Sequence, residues 1–193
     1  MKILKINSSI QTEKSVGRKL VDQLISKFTN NECKVIERDL AKGLPLLTQD
    51  MVNAFYTPED KHTDDQKEQV VTSNLLIKEI EASEIIIMGI PIYNFNIPAS
   101  VKAYFDLIAR VGVTFKYTNE GPVGLFENKK VYVIVTSGGT PFMGDGDFAS
   151  SYIKHFLGFI GITDVNFISA DQLVANSEIQ IENAEKQIAE LES

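Results

Sequence analysis

An aromatic and amide-rich loop between two prolines is the stretch of this sequence best suited to bind a flat ligand. Residues 91–98 read PIYNFNIP, with Tyr93, Asn94 and Phe95 at the centre. Aromatic rings pack against planar ligands, and amide side chains both donate and accept hydrogen bonds. Proline fixes φ, so the two prolines restrict the loop to few conformations. The pattern predicts one wall of a site for a flat ligand with polar edges; the alternative is a turn whose rings pack on the core.

The sequence on either side of this loop predicts its position at the edge of a β-sheet. Residues 85–90 read IIIMGI, a continuous apolar run typical of a strand buried on both faces. Pro98 suits a helix N-terminus, where its missing N–H removes no intrahelical hydrogen bond. Apolar residues then recur on one helical face, at Val101, Tyr104, Phe105 and Ile108. Ligands of open α/β sheets bind beyond the carboxyl ends of the strands, so the loop is predicted to line a ligand site.

A serine-rich loop after the first predicted strand is suited to bind an anion. Ser8 and Ser9 follow a short apolar strand, and residues 15–17 (SVG) open the next predicted helix. Hydroxyl groups and the free N–H groups of a helix N-terminus bind phosphate, and the helix dipole favours its negative charge. The stretch lacks the Gly-Lys-Ser/Thr sequence of a P-loop. It predicts either a phosphate site or a helix N-cap at Ser15 with no further role.

A glycine-rich loop, SGGT at residues 137–140, follows a later predicted strand. Two consecutive glycines let a ligand approach the backbone closely and leave N–H donors accessible; a plain turn is the alternative. A second pattern, GDGDFA at residues 144–149, matches G-x-G-x-x-A. It does not follow its strand directly, and Asp145 and Asp147 would repel a pyrophosphate. We therefore do not interpret it as a dinucleotide site.

Five predicted strands alternate with helices along the chain. The strands cover residues 2–7, 33–37, 85–90, 129–136 and 164–169. Residues 41–65 are expected to be irregular, residues 66–82 to be helical, and residues 111–128 to form a hairpin-like loop. Such alternation produces right-handed βαβ units and a parallel sheet covered by helices on both faces. The prediction is a single α/β domain over residues 1–193, a three-layer sandwich with strand order 2-1-3-4-5.

Composition excludes several classes of function. The net charge of −7 argues against nucleic acid or an anionic membrane as a partner, because both bind clustered lysine and arginine. The single cysteine, Cys33, fits a reducing compartment, and neither a signal peptide nor a run of about 20 apolar residues is evident. A cytoplasmic protein is therefore expected. His62 and His155 lack the spacing of metal ligands, so no metal site is predicted, and His155 is expected to be a structural residue among core-facing positions.

The three loops together match one ligand better than any of them does alone. The carboxyl ends of the central strands meet at one edge of a doubly wound sheet. Flavin mononucleotide (FMN) combines a phosphate, a ribityl chain and a flat ring with polar edges. The serine-rich loop fits the phosphate, the aromatic and amide loop fits the ring, and the glycine-rich loop fits its polar edge. We therefore predict an FMN site.

Longer motifs resemble a known family. Residues 91–125 (PIYNFNIPASVKAYFDLIARVGVTFKYTNEGPVGL), 135–140 (VTSGGT) and 155–165 (HFLGFIGITDV) are similar to the FMN-dependent NAD(P)H azoreductases, the bacterial flavodoxin-like quinone reductases. The resemblance covers nearly the whole chain. It implies a flavodoxin-like fold and a homodimer with one FMN per subunit at the subunit interface. It also implies that NAD(P)H is the electron donor and that quinones and aromatic azo compounds are reduced by two-electron transfer.

The resemblance also assigns site residues. The implied FMN contacts are Ser9, Ser15, Val16 and Gly17 at the phosphate; Ile92, Tyr93, Asn94 and Phe95 beside the ring and ribityl chain; and Ser137, Gly138, Gly139 and Thr140 at the pyrimidine edge. Phe115, Tyr117 and Phe159 resemble walls of the substrate pocket, the first two contributed by the partner subunit. Relatives often carry a hydroxyl residue where Gly17 stands, and an arginine where Gly138 stands. Gly17 therefore leaves more of the phosphate to backbone N–H groups, and Gly138 removes the basis for inferring a preference for NADPH or acidic dyes from the resemblance.

The implied chemistry needs no catalytic side chain, because the flavin carries the electrons. We expect a ping-pong cycle in which NAD(P)H gives a hydride and leaves before the acceptor takes it. NADH and NADPH stay open as donors, and quinone, azo and nitro compounds as acceptors. One alternative is a flavodoxin-like electron-transfer or regulatory protein without NAD(P)H turnover. A receiver-like signalling domain is disfavoured, because residues 7–9 (NSS) stand where acidic residues are needed.

Overall fold

A five-stranded parallel sheet forms the centre of the computed structural model, which describes residues 1–28 and 33–191. Its strands are β1 (Lys2–Asn7), β2 (Lys34–Asp39), β3 (Ile85–Pro91), β6 (Lys130–Thr136) and β7 (Asp164–Ala170). The order β2-β1-β3-β6-β7 is the predicted 2-1-3-4-5, since β4 (Phe115–Thr118) and β5 (Gly121–Gly124) form a separate antiparallel hairpin. The predicted strand order and the hairpin are both confirmed.

Helices cover both faces of the sheet and complete the three-layer sandwich. The α-helices of the described residues are α1 (Val16–Phe28), α2 (Gln49–Tyr56), α3 (Asp64–Gln69), α4 (Val71–Ala82), α5 (Ala99–Ile108), α6 (Phe148–Phe159) and α7 (Leu173–Glu190). One apolar cluster joins α1 and α7 to one face of the sheet. A second cluster joins α2, α4, α5 and α6 to the other face.

Strand β3 is the strand that both layers share. Ile86, Met88 and Ile90 belong to one apolar cluster, whereas Ile87 belongs to the other. All four side chains are buried, which explains the continuous apolar run. Full burial of such a side chain stabilises the fold by about 1.5–3 kcal/mol. The carboxyl end of β3 is therefore rigidly placed in the middle of the sheet.

The prediction that residues 41–65 are irregular is wrong. Helix α2 lies within them, and it begins where the side chain of Thr48 accepts a hydrogen bond from the N–H of Met51 at 3.2 Å. Met51 and Phe55 are buried against the core, so tertiary packing stabilises a helix too short to form alone. The helix predicted over residues 66–82 instead begins at Asp64 as α3 and is interrupted before α4.

A close backbone crossing fastens the hairpin to the body of the protein. A Cβ atom added at Gly124 would lie 1.9 Å from the backbone nitrogen of Gly161, and one added at Gly161 would lie 2.5 Å from the carbonyl oxygen of Phe126. Gly161 also has a φ of +99°, which other residues rarely adopt. The N–H of Phe126 donates to the carbonyl of Ile160 at 3.0 Å across this crossing. Both glycines are therefore needed for the hairpin to lie against the end of α6.

We expect Gly124→Ala to lower the free energy of unfolding by about 3 kcal/mol, because the added methyl group must displace backbone atoms. Gly158→Ala is the matched control, since the space beside Gly158 is open and the residue lies within α6. That control should change stability by less than about 1 kcal/mol, in the stabilising direction. Urea unfolding followed by circular dichroism measures both. Equal stabilities of the two variants would contradict the tight crossing.

Candidate functional site

An open cleft of about 260 Å³ lies at the carboxyl edge of the sheet, where the ends of β1, β3 and β6 meet. The lining includes Ser9, Gln11, Lys14, Ser15, Val16, Gly17, Pro91, Ile92, Tyr93, Thr136, Ser137, Gly138 and Leu173. The structure therefore brings the three predicted loops together around one cavity. Four of the twelve FMN contacts assigned by resemblance lie outside the lining: Asn94, Phe95, Gly139 and Thr140.

The first loop ends at the N-terminus of α1. The hydroxyl of Ser15 accepts a hydrogen bond from the N–H of Arg18 at 3.3 Å, so Ser15 does cap the helix. Among residues 1–28 and 33–191, nothing accepts a hydrogen bond from the N–H of Val16 or Gly17. The hydroxyl of Ser9 has no partner in that part of the chain either. These three donors line the cleft at the positive end of the helix dipole, which is the arrangement that binds an anion.

Close packing places this helix terminus directly against the sheet. A Cβ atom at Gly89 would lie 3.0 Å from the side chain of Val21 and 3.1 Å from the side-chain oxygen of Asn7. A Cβ atom at Gly17 would lie 3.4 Å from the side chain of Thr136. Glycine at position 89 lets α1 cross the strand ends closely, whereas the distance at Gly17 is an ordinary van der Waals contact and shows only that the first turn of α1 lies next to Thr136. The donors at Val16 and Gly17 consequently lie close to the end of β6.

The second loop is a tight turn with a left-handed backbone. The N–H of Tyr93 donates to the carbonyl of Asn96 at 2.9 Å, and the reverse hydrogen bond measures 3.1 Å. Asn94 and Phe95 between them have φ values of 50° and 70°. Asparagine tolerates this conformation, whereas phenylalanine adopts it at a cost of order 1–3 kcal/mol. Backbone strain of this kind is concentrated at ligand sites, so the turn itself is a candidate functional feature.

The third loop is held in place by the start of α7. The carbonyls of Ser137 and Gly138 accept hydrogen bonds from the N–H groups of Leu173 and Val174, at 3.0 and 2.9 Å. Within the described part of the chain, the N–H groups of Gly138 and Gly139 have no acceptor. Space beside Gly139 is open. The loop therefore offers fixed, unused donors at the edge of the cleft opposite α1.

Two buried carboxylates hold the segment between β6 and α6, of which the third loop is the first part. Asp147 accepts hydrogen bonds from the N–H groups of Ala149 and Ser150 at 3.0 and 2.9 Å, so it caps α6. Asp171 accepts from the N–H of Phe142 at 2.7 Å. The GDGDFA pattern is thus a helix start, in agreement with our rejection of a dinucleotide fingerprint. Neither carboxylate lines the cleft, and Lys14 is the one charged side chain among the described residues that does.

The three residues predicted to wall the substrate pocket form a cluster away from this cleft. The ring centroids of Phe115 and Phe159 are 4.4 Å apart, and Tyr117 packs edge-on against Phe115 at 5.5 Å. Phe159 is the last residue of α6, which begins beside the third loop. At 1.5 Å per residue, it lies about 16 Å along the helix from that loop. These residues therefore do not contribute to the cleft of their own chain.

No metal site or membrane-spanning helix was found in the described ranges. Across residues 1–28 and 33–191, no group of three or more His, Cys, Asp or Glu side chains could hold a metal ion. No helix there is both long enough and apolar enough to cross a bilayer. His62 is buried, with its Nε2 3.0 Å from the carbonyl oxygens of Ala54 and Thr57. The expectation that His155 faces the core is wrong, because it is exposed.

Sequence reasoning missed several residues of the cleft. Gln11, Lys14 and Leu173 line it, but none belongs to a recognisable motif. Lys14 immediately precedes the capping serine, a position at which a cation supports anion binding. Leu173 enters the site only because α7 returns to the third loop, which depends on long-range contacts. The sequence alone could therefore have indicated Lys14 as a site residue, whereas it could not have indicated Leu173.

Comparisons with known proteins agree with this geometry. The chain matches the family Flavodoxin_2, described as having a flavodoxin-like fold, over residues 1–193. It is 45% identical over 190 residues to FMN-dependent NADH:quinone oxidoreductase 1 of Hahella chejuensis, covering 97% of this chain and 93% of that protein. It is 44% identical to the protein of the same name from Colwellia psychrerythraea, covering 97% and 98% of the two chains.

Solved structures give the same result. The crystal structure of an azoreductase from Bacillus anthracis strain Sterne superposes with a TM-score of 0.85 and 27% identity, covering 98% of this chain and 95% of that one. A Bacillus anthracis FMN-dependent NADH-azoreductase, solved in complex with FMN, has a TM-score of 0.86 and 24% identity, covering 98% and 96% of the two chains. The resemblance inferred from the loop motifs is confirmed: the chain belongs to the flavodoxin-like family of the FMN-dependent NADH:quinone oxidoreductases and azoreductases.

Proposed function

We propose that this protein is an FMN-dependent NADH:quinone oxidoreductase that also reductively cleaves aromatic azo compounds. The observation that carries the proposal is the set of unused donors around the cleft. The hydroxyl of Ser9 and the N–H groups of Val16 and Gly17 lie on one side of the cleft, and the N–H group of Gly138 lies on the other, with that of Gly139 next to it just beyond the lining. Relatives that match nearly the whole chain are named for this activity, which supports the assignment.

The cleft residues fit FMN in chemistry as well as in position. A phosphate at the N-terminus of α1 would accept hydrogen bonds from Ser9, Val16 and Gly17, and the positive charge of Lys14 would partly neutralise it. Gly17 supplies a backbone donor where relatives often have a hydroxyl. The ring and ribityl chain would lie against Ile92 and Tyr93, and Asn94 and Phe95 would follow at the exposed rim.

The third loop has the donors that a reduced flavin requires. Negative charge develops at the pyrimidine edge of the ring on reduction, and fixed N–H groups stabilise charge without reorganising. Ser137, Gly138, Gly139 and Thr140 are proposed to hold that edge. Gly138 carries no cation where relatives often have arginine, so these N–H groups would act alone. A lower preference for anionic acceptors follows.

When bound, FMN would supply two-electron redox chemistry, in which a hydride is accepted from a nicotinamide and passed to a quinone or an azo compound. We propose a ping-pong order, in which the oxidised nicotinamide leaves the site before the quinone or azo compound enters it. NADH is the proposed donor, because the curated relatives carry that nucleotide in their names. The described residues that line the cleft include no histidine or carboxylate to act as a general base, and none is needed in this scheme.

A homodimer would complete the site. The segments that follow β1, β3 and β6 each expose a large apolar side chain at the same edge: Ile10, Phe95 and Met143. Exposed apolar groups clustered in this way are typical of protein interfaces. Phe115 and Tyr117 lie away from their own cleft, so their proposed role as pocket walls requires the partner's cleft. We propose one cytoplasmic FMN-binding domain over residues 1–193 in each subunit, with one FMN per subunit.

Steady-state kinetics test the enzymatic assignment against a non-catalytic flavodoxin-like carrier. With FMN-loaded protein, NADH oxidation should require a quinone and give parallel lines in double-reciprocal plots, because the first product leaves before the acceptor binds. Free FMN at the same concentration is the control. A rate no faster than that control would contradict the enzyme and favour the carrier, and intersecting lines would contradict the ping-pong order.

Gly17→Asp tests where the phosphate binds. An aspartate in the first turn of α1 should leave the apoprotein as stable as before or up to about 1 kcal/mol more stable, through its interaction with the helix dipole. The same carboxylate would repel the phosphate, so we expect FMN affinity to fall roughly 100-fold, which is about 2.7 kcal/mol. Riboflavin, which lacks the phosphate, should bind as before, and Gly17→Asn is the neutral control. Equal FMN affinities of the two variants would contradict the assignment.

Asn94→Gly tests whether the second turn holds the flavin. Glycine adopts the left-handed conformation of Asn94 without strain, so the apoprotein should keep its thermal stability. Loss of one amide hydrogen bond should weaken FMN binding roughly fivefold. Asn94→Leu should weaken it further, because leucine also strains the turn. Fluorescence titration with FMN measures both affinities, and an unchanged affinity in Asn94→Gly would argue that the amide does not contact the cofactor.

A further inference from the structure

Arg18 lies behind the first loop and donates hydrogen bonds to its backbone. Its Nε donates to the carbonyl of Gln11 at 3.0 Å, and one of its terminal nitrogens donates to the carbonyl of Ser9 at 2.7 Å. Both terminal nitrogens also donate to the carboxylate of Asp39, at 2.9 and 2.8 Å. Asp39 is the last residue of β2, so the guanidinium joins that strand end, α1 and the first loop.

The guanidinium is committed to these partners and not to the cleft. Arginine has five N–H donors, and four of them are used by Ser9, Gln11 and Asp39. The side chains of Arg18 and Asp39 are only 14% and 24% exposed, and the pair is bidentate. Hydrogen bonding to Arg18 lowers the pKa of Asp39, so the pair is intact at neutral pH and is lost as the pH falls through that lowered pKa. Arg18 does not line the cleft.

The peptide between Ser9 and Ile10 transmits this constraint to the second loop. A trans peptide directs its C=O and N–H to opposite sides. Because Arg18 holds the carbonyl of Ser9, the N–H of Ile10 is directed away from it, and this N–H donates to the hydroxyl of Tyr93 at 3.3 Å. The orientation of this peptide plane thus depends on the Arg18 guanidinium on one side and on Tyr93, a cleft residue, on the other.

We propose that Arg18, braced by Asp39, is a positioning residue that fixes the first loop in its phosphate-binding conformation without itself binding the phosphate. The proposal rests on the assignment of the FMN phosphate to this loop. In this arrangement the phosphate is bound by backbone N–H groups, the Ser9 hydroxyl and Lys14. The Arg18–Asp39 pair holds those groups in place before the cofactor binds, which is preorganisation.

Asp39→Asn distinguishes this positioning role from simple Coulomb attraction between Arg18 and the phosphate. Removing a carboxylate leaves the positive charge of Arg18 uncompensated close to the site, so Coulomb attraction alone would tighten the binding of an anionic phosphate. Positioning predicts the opposite, because a neutral amide no longer makes a charge-assisted bidentate pair with the guanidinium. We expect Asp39→Asn to weaken FMN binding about fivefold. Arg18→Lys keeps the charge but loses the fork geometry, and it should weaken FMN binding at least about tenfold.

Titration of the deflavinated full-length protein with FMN and with riboflavin tests the proposal. The ratio of the two affinities should fall in Asp39→Asn and Arg18→Lys, with riboflavin affinity within about twofold of the wild type. Arg38→Met is the matched control, because Arg38 forms a comparable two-bonded pair with Glu79 outside the cleft. It should lower stability and leave the ratio unchanged.

Each outcome of the titration decides one question. Unchanged or tighter FMN binding in Asp39→Asn, or equal losses of FMN and riboflavin in both variants, would overturn the positioning role. If Gly17→Asp also failed to discriminate FMN from riboflavin, the phosphate assignment itself would be wrong. If Gly17→Asp discriminated and the Arg18 and Asp39 variants did not, only the role of this pair would be wrong.

Discussion

The parallel register of the three central strands is the constraint on which the candidate site depends. Asn7 of β1 pairs with Gly89 of β3, and Pro91 pairs with Thr136 of β6. All three strands therefore release their loops at one edge of the sheet. Gly89 has no side chain, so α1 packs close enough to direct its first N–H groups into the same cleft. A bulkier residue at position 89 would press against Val21 of α1 and Asn7 of β1 and separate the helix from the strand ends.

Binding of an anionic cofactor by an acidic protein follows from how the local charges are arranged. The chain carries a net charge of −7, yet three carboxylates behind the loops of the cleft are engaged elsewhere. Asp147 caps α6, Asp171 holds the third loop, and Asp39 is paired with Arg18. What lines the cleft is largely neutral: hydroxyls, backbone N–H groups and one lysine, Lys14. Such donors stabilise a phosphate without the desolvation cost of a second buried charge.

Local patterns in the sequence were sufficient to predict the strand order, the hairpin and the loops that meet at the cleft. Apolar runs and glycines report local requirements, so they can be interpreted one segment at a time. Helix α2 was missed because its stability comes from tertiary burial of Met51 and Phe55. The contacts of Arg18 with Asp39 were missed because they join residues far apart in sequence. Sequence also could not show that Phe159 packs against Phe115, away from the cleft of its own chain.

The most direct test of the account is a crystal structure of the FMN-loaded protein. The account predicts the phosphate within hydrogen-bonding distance of the N–H groups of Val16 and Gly17 and of the Ser9 hydroxyl. It also predicts the pyrimidine edge of the ring against the N–H groups of Gly138 and Gly139, and the Arg18–Asp39 pair unchanged. A phosphate bound elsewhere, or one contacted directly by the guanidinium of Arg18, would contradict it.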